Sequence, residues 1–170
     1  MRTFKQIALS AALAISAFGA VTYTSCNPDA CKDVVCQNGG TCSDGNCTCA
    51  TGYEGTNCET KATAKFVKQW SASDKEATTT TTIPTYVSAI VTGAGVTDIK
   101  ISNFSGLFTN DVVATVSGNT ITVSSQQPDN DGYYVTTGTG TYDATTKKIS
   151  WTYTLKNPLN VEKSYTGTWQ

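Results

Sequence analysis

The stretch ISWTYTL, Ile149–Leu155, decides the fold. Its odd-numbered positions are apolar or aromatic, and its even-numbered positions carry hydroxyl groups. Successive side chains of a β-strand point to opposite faces of the sheet, so this alternation predicts a strand with one buried and one solvated face. The polar residues elsewhere are dominated by threonine, a strand former present 31 times. We therefore expect a mainly β protein whose core is built on Trp151.

The same alternation continues on both sides of this stretch. Turn-forming residues separate the alternating runs; Ser117-Gly118-Asn119, for example, is typical of a tight hairpin. Eight strands are expected near residues 64–71, 77–91, 96–102, 111–117, 120–126, 133–142, 148–156 and 161–169. Because the connections are short, neighbouring strands should pair antiparallel. Residues 62–170 are thus predicted to form an eight-stranded antiparallel β-barrel, with a two-sheet β-sandwich as the alternative.

A set of aromatic residues on the inward face of these strands forms the candidate barrel interior. They are Trp70, Trp151, Tyr153, Tyr165 and Trp169. A barrel of this strand number can fill itself with side chains or enclose one small molecule, so the set is either a packed core or the wall of a ligand pocket. Because the domain is small and contains three tryptophans, we expect a filled core.

The N-terminus has the pattern of an export signal. Arg2 and Lys5 precede an apolar, alanine-rich run over residues 7–21, which is short for a membrane span and suits the core of a signal peptide. The run is followed by Ser25-Cys26, which resembles the lipobox of bacterial lipoproteins, in the looser form found in Bacteroidetes. The resemblance implies a signal peptide over residues 1–25 and an acylated Cys26 that anchors the chain to the membrane.

The cysteine count favours this lipid attachment over an ordinary secretory signal with a spare thiol. Seven cysteines are present, and setting Cys26 aside leaves six that can pair evenly. Residues 26–30 would form the tether between the anchor and the next domain. Asn27 is not the aspartate that would suggest retention in the inner membrane, so we expect the outer membrane, on either its periplasmic or its surface face.

The six remaining cysteines form a compact cluster over residues 31–59. They are Cys31, Cys36, Cys42, Cys47, Cys49 and Cys58. Their spacing alone leaves many pairings open. The intervening glycines and Tyr53 make the run closely similar to an EGF-like domain, and this resemblance implies the bridges Cys31–Cys42, Cys36–Cys47 and Cys49–Cys58. A segment this short cannot fold on a hydrophobic core alone, so disulfides are expected to hold it together.

The order and number of the barrel strands resemble the calycin class, which includes the lipocalins. Trp70 on the first predicted strand is similar to the tryptophan of the lipocalin motif, although no glycine precedes it and the chain offers no arginine to cover it. The resemblance implies, as an alternative function, a carrier that holds a small apolar ligand inside the barrel.

The composition argues against catalysis and against nucleic-acid binding. The chain has no histidine, and its only arginine is Arg2. Acidic residues are present in the barrel domain, but most of them fall at turns or on polar strand faces, where solvation accounts for them. These residues are Asp74, Glu76, Asp98, Asp111, Asp129, Asp131, Asp143 and Glu162.

We therefore expect no enzyme, no cofactor and no metal site. The function predicted from the sequence is that of a lipid-anchored, non-catalytic protein of the bacterial cell envelope or surface, acting as a binding or interaction module. Besides the membrane, its partner would be a protein, a glycan or a small apolar ligand.

Overall fold

The computed structural model describes residues 30–79 and 82–170. The predicted signal peptide, Cys26 and nearly all of the predicted tether lie outside the described residues. Within the described part of the chain, no helix is long and apolar enough to cross a membrane.

A small disulfide module comes first. It contains two short antiparallel hairpins, formed by β1 (Thr41–Ser43) with β2 (Asn46–Thr48) and by β3 (Tyr53–Glu54) with β4 (Thr60–Lys61). Asp44 and Gly45, at the turn of the first hairpin, both have positive φ angles. The bridges join Cys31 with Cys42, Cys36 with Cys47 and Cys49 with Cys58, which are the pairs that the resemblance implied.

Eight longer strands follow and close into an antiparallel barrel in which every strand pairs with its neighbours in sequence and the last strand pairs with the first. They are β5 (Gln69–Glu76), β6 (Tyr86–Thr92), β7 (Asp98–Ile101), β8 (Val112–Ser117), β9 (Thr120–Val123), β10 (Tyr134–Asp143), β11 (Lys148–Lys156) and β12 (Glu162–Trp169). Pairing of β12 with β5 completes the ring. The predicted mainly β fold with an eight-stranded barrel is confirmed, and the β-sandwich alternative is wrong.

The first two barrel strands begin later than the sequence pattern predicted. Residues 62–66 form turns instead of a strand, with the Phe66 amide donating to the Thr63 carbonyl at 3.0 Å. Phe66 is fully buried at the base of the barrel, and its carbonyl accepts the indole N–H of Trp70 at 2.8 Å. The threonine-rich segment before β6 has no apolar residue at alternate positions to bury, and Thr82 forms only an isolated bridge with Lys75.

The barrel is filled by alternating large and very small side chains. Trp151 on β11 lies between Gly140 on β10 and Gly167 on β12, its direct partners in the strand register. A methyl group at Gly140 would lie 2.9 Å from the six-membered ring of Trp151, so glycine is required there for the indole to fit. This pairing of small and large residues across strands makes room for the indole inside the barrel.

The two ends of the barrel differ in what they contact. At one end, here called the module end, the disulfide module packs against the turns that follow β6 and β8. Lys65 links the module to the turn after β8, because its ammonium group lies 2.6 Å from Glu54 Oε2 in the module and 2.8 Å from Asn119 Oδ1 in that turn. The opposite end, here called the far end, contains the β7–β8 segment, residues 102–111, and the β11–β12 turn, residues 157–160.

Candidate functional site

Four of the five aromatic residues proposed for the interior are fully enclosed. Trp70, Trp151, Tyr153 and Trp169 each have no more than 2% of their surface exposed. The ammonium group of Lys68 lies 3.9 Å from the centre of a Trp70 ring, a distance typical of a cation–π contact. Tyr165, the fifth, is partly buried and stacks on Tyr153 with ring centres 5.3 Å apart.

A residue that the sequence analysis did not single out closes the interior from the far end. Phe104 lies in the β7–β8 segment and is completely buried. Its ring centre is 4.8 Å from that of Tyr153, 5.3 Å from that of Trp151 and 5.8 Å from that of Trp169. The segment turns inward through Asn103 and Ser105, whose φ angles are 50° and 62°. Phe104 therefore acts as a plug that occupies the space where an internal ligand would lie.

Asp74 is the centre of a buried hydrogen-bond network beside this plug. Only 1% of its surface is exposed, on β5 near the far end. Its carboxylate accepts hydrogen bonds from the Tyr86 hydroxyl at 2.5 Å, the Tyr153 hydroxyl at 2.6 Å and the Trp169 indole N–H at 3.1 Å. The Tyr153 hydroxyl also lies 3.0 Å from Ser105 Oγ, which ties the network to the plug segment.

The two tyrosines of this network remain protonated donors. Burial, together with the neighbouring Tyr153 and Asp74 side chains, raises the pKa of Tyr86 far above its usual range. Burial and the Asp74 carboxylate do the same to the pKa of Tyr153. A phenol that keeps its proton can donate to a carboxylate, so the network holds the plug segment against β5 and β11.

Asp74 corrects one interpretation from the sequence. It was grouped with acidic residues explained by solvation, yet it points into the barrel. The signal was present, because Trp70, Ala72 and Asp74 share one parity on β5 and all three are buried. Gly167 makes room for the carboxylate, since a methyl group there would overlap Asp74 Oδ1. The carboxylate is enclosed and its hydrogen bonds are made within the protein, so the arrangement is suited to holding structure together.

A cleft of about 270 Å³ opens at the far end, outside the plug. It lies between the plug segment, the start of β10 and the β11–β12 hairpin. Its lining is largely apolar and aromatic, and consists of Leu107, Tyr133, Leu155, Asn157, Val161, Lys163 and Tyr165. Of these, Tyr165 was proposed from the sequence as an interior residue, and it forms the boundary between the core and the cleft.

The polar groups of the cleft are held in defined positions. Lys163 donates to Glu76 Oε2 at 3.0 Å, and this hydrogen bond and the Glu76 charge raise the pKa of Lys163. Asn157 Oδ1 accepts the backbone N–H groups of Leu159 and Val161 at 3.0 and 2.9 Å, which fixes the β11–β12 turn. Burial, followed by the nearby Glu76 carboxylate, raises the pKa of Tyr165, so its hydroxyl stays protonated.

Exposed apolar side chains surround the cleft. Leu107 is 44% exposed, Val161 is 49% exposed, and Leu159 at the tip of the β11–β12 turn is 81% exposed. Two other hollows lie on the outer wall of the barrel, between β5 and β12 and between β8 and β9, and both are more open to solvent than the far-end cleft. The far-end cleft is therefore the best candidate binding site on the described surface.

Comparison of the chain with protein-family models, with curated proteins and with solved structures finds no match.

Proposed function

We propose that this protein is a lipid-anchored, non-catalytic component of the bacterial cell envelope that binds a partner at the far end of its barrel. The observation that carries the proposal is the separation of the two ends. The disulfide module, next to the proposed anchor, contacts one end, and the apolar cleft opens at the other. A molecule tethered in this way directs its cleft away from the membrane.

The proposed anchor must lie close to the disulfide module. Cys26 precedes Cys31 by five residues, and a fully extended chain spans at most about 3.6 Å per residue, so the two α-carbons are within about 18 Å of each other. Two or three acyl chains on Cys26 would anchor the protein stably, whereas a single chain gives only marginal membrane binding. The identity of the first module as an EGF-like domain is part of this proposal and is supported by its three bridges, which follow the order typical of that family.

The interior of the barrel is less suited to the alternative function, a carrier with an enclosed apolar ligand. Phe104 and the three tryptophans occupy the space that such a ligand would need. The cleft outside the plug is already open and exposes apolar groups to water. We therefore favour an interaction module over a carrier.

Replacement of the proposed anchor tests this function. We expect Cys26→Ser to move the protein from the membrane fraction to the soluble fraction, because the acyl chains would be absent. A peptide tag inserted between Leu159 and Asn160 should be accessible to an antibody when the protein is bound to the membrane, since that turn is exposed at the far end. Retention of Cys26→Ser on membranes washed in high salt would reject the anchor.

A further inference from the structure

We infer that the far-end cleft receives a segment of a partner protein that offers one large apolar side chain next to a carboxylate. This inference rests on the proposed function and adds the chemistry of the occupant. It follows from the size of the cleft, the apolar groups around it and the polar groups inside it.

The size of the cleft favours a side chain over a separate small molecule. Pockets for small-molecule ligands usually have volumes of about 300–1,000 Å³ and enclose most of the ligand. The far-end cleft has about 270 Å³ and is open on one side. That space is enough for one leucine, phenylalanine or tryptophan side chain, the type of anchor that dominates the energy of protein interfaces.

The rim indicates that the occupant extends beyond the cleft. Leu107 and Val161 line the cleft and are exposed, and Leu159 is exposed on the adjoining β11–β12 turn, so an occupant confined to the cleft would leave much of this apolar surface in water. A partner chain that lies across the opening would cover these side chains together with the cleft. Clustered exposed apolar groups with a polar rim are typical of protein-binding surfaces.

The polar groups within the cleft are mainly donors. Asn157 lines the cleft, and because its Oδ1 is already used by two backbone N–H groups, its amide N–H groups are the part of the side chain that remains available. Among residues 30–79 and 82–170, no hydrogen-bond partner is present for the hydroxyl groups of Tyr133 and Tyr165. Lys163 is 52% exposed at its side chain, whereas its partner Glu76 is only 14% exposed, so the positive member of the pair faces the solvent. Donors and an exposed ammonium group match a carboxylate.

Defined probes can test this chemistry by NMR titration of the purified protein. N-acetylphenylalanine offers an apolar ring and a carboxylate, N-acetylphenylalaninamide lacks the charge, and N-acetylglycine lacks the ring. We expect the first to shift the methyl signals of Leu107, Leu155 and Val161 with a dissociation constant on the order of 1 mM, the value for a fragment of this size. The amide should bind about threefold to tenfold more weakly, and N-acetylglycine should produce no shifts at the same concentration.

Two variants with matched controls connect the binding to the cleft. Lys163→Gln should abolish or reverse the preference for the acid, because it leaves the Glu76 carboxylate unpaired, whereas Lys148→Gln, at the module end of β11, should preserve the preference. Leu107→Ser should weaken the binding of N-acetylphenylalanine. Val113 is a similarly exposed residue on the outer wall, and Val113→Ser should leave that binding unchanged. Equal binding of acid and amide to the unmodified protein, or shifts that map elsewhere, would overturn the inference.

Two further sets of results would lead to different conclusions about the occupant of the cleft and about the anchor. If octanoate binds the cleft more than about tenfold tighter than N-acetylphenylalanine, a free amphiphile is the occupant and the inference of a protein partner is wrong. If the probes fail while Cys26→Ser still releases the protein from membranes, the cleft chemistry is rejected and the anchored arrangement stands. The reverse pair of results would reject the anchor and retain the cleft.

Discussion

Asp74 shows how a single buried charge can organise one end of a barrel. Its carboxylate collects donors from β6, β11 and β12, three separate strands of the ring. Charge-assisted hydrogen bonds of this kind are roughly twice as strong as those between neutral groups. The contribution of the network should therefore be visible in the stability of the whole domain.

Asp74→Ala should lower the free energy of unfolding by about 3 kcal/mol or more. The substitution removes the shared acceptor, leaves the donors of Tyr86 and Trp169 without a partner and leaves Tyr153 with Ser105 alone, at roughly 1–3 kcal/mol for each buried unsatisfied group. Urea unfolding followed by tryptophan fluorescence measures the change. Glu162→Ala, an exposed acidic residue on β12, serves as control and should change stability by less than about 0.5 kcal/mol. Equal effects of the two variants would contradict the buried network.

Gly140 is the second residue whose size is decisive. Gly140→Ala should destabilise the barrel by about 1–3 kcal/mol, because the added methyl group meets the rigid indole of Trp151. Trp151→Phe in the same chain should recover part of this loss, since a phenyl ring is shorter and frees the space. A double-mutant cycle in urea measures the coupling. Strictly additive effects would show that the two residues are not in contact.

At the scale of elements, the plug segment is fastened at a second point, by Asp129. This carboxylate accepts the backbone N–H groups of Thr109 at 2.8 Å and of Asn110 at 2.7 Å. These backbone hydrogen bonds hold the pKa of Asp129 below its ordinary value of 3.8. A group with a lowered pKa in the folded state contributes stability above its unfolded pKa and loses that contribution as the pH falls through the folded value.

The amide signals of Thr109 and Asn110 should therefore titrate with a midpoint below pH 3.8, the ordinary aspartate value. NMR spectra recorded between about pH 2 and pH 6 would follow the two amides as the Asp129 carboxylate loses its charge. In Asp129→Asn the same amides should show no such transition. A midpoint at or above the ordinary value would mean that the hydrogen bonds do not persist in solution.

The disulfide module and the barrel are expected to unfold separately. The six cysteines of the bridges all lie before residue 59, and the barrel strands start at Gln69. Reduction should therefore unfold the module, which depends on its bridges, and leave the near-ultraviolet circular dichroism of the three tryptophans largely unchanged. Loss of that signal on reduction would show that the barrel needs the module. Peptide mapping without reductant would check the pairing.

At the scale of the whole molecule, Phe104 decides whether the barrel is filled or hollow. Phe104→Ala should leave an apolar cavity beside Trp151, Tyr153 and Trp169 and lower stability by about 3–5 kcal/mol. Such cavities remain dry and bind small apolar molecules, so indole should raise the melting temperature of the variant. Indole should have no effect on the unsubstituted protein. An equal rise in both proteins would place its binding site outside the interior.

Much of the fold could be predicted from the alternation of apolar and polar residues in the sequence. Ile149–Leu155 is an alternating strand as predicted, and the number of strands and their antiparallel order are also correct. The second strand was placed too early because threonine supplies β propensity whether or not a buried partner exists. Tertiary packing of Phe66 under the barrel, which local pattern does not encode, determines where β5 begins.

The plug and the cleft were less accessible to sequence reasoning. Phe104 follows a strand and lies in a short irregular segment, so no alternating pattern of apolar residues identifies it as a core residue. Its position depends on left-handed backbone at Asn103 and Ser105, residues whose types do not require that conformation. The cleft combines residues from three separate segments, and only closure of the ring brings Leu107 near Val161.

The arrangement of the two ends has a mechanical consequence. β5 is the first strand after the disulfide module; it runs from the module end toward the far end and is held by five residue pairs to β12 and by four to β6. Tension between an anchored N-terminus and a partner pulling at the cleft would act parallel to β5. The hydrogen bonds of all these pairs would then be loaded in shear at the same time. A pull perpendicular to the strands would instead break them one after another. The closed ring would thus let the barrel sustain traction along its axis, if the proposed anchor and partner are present.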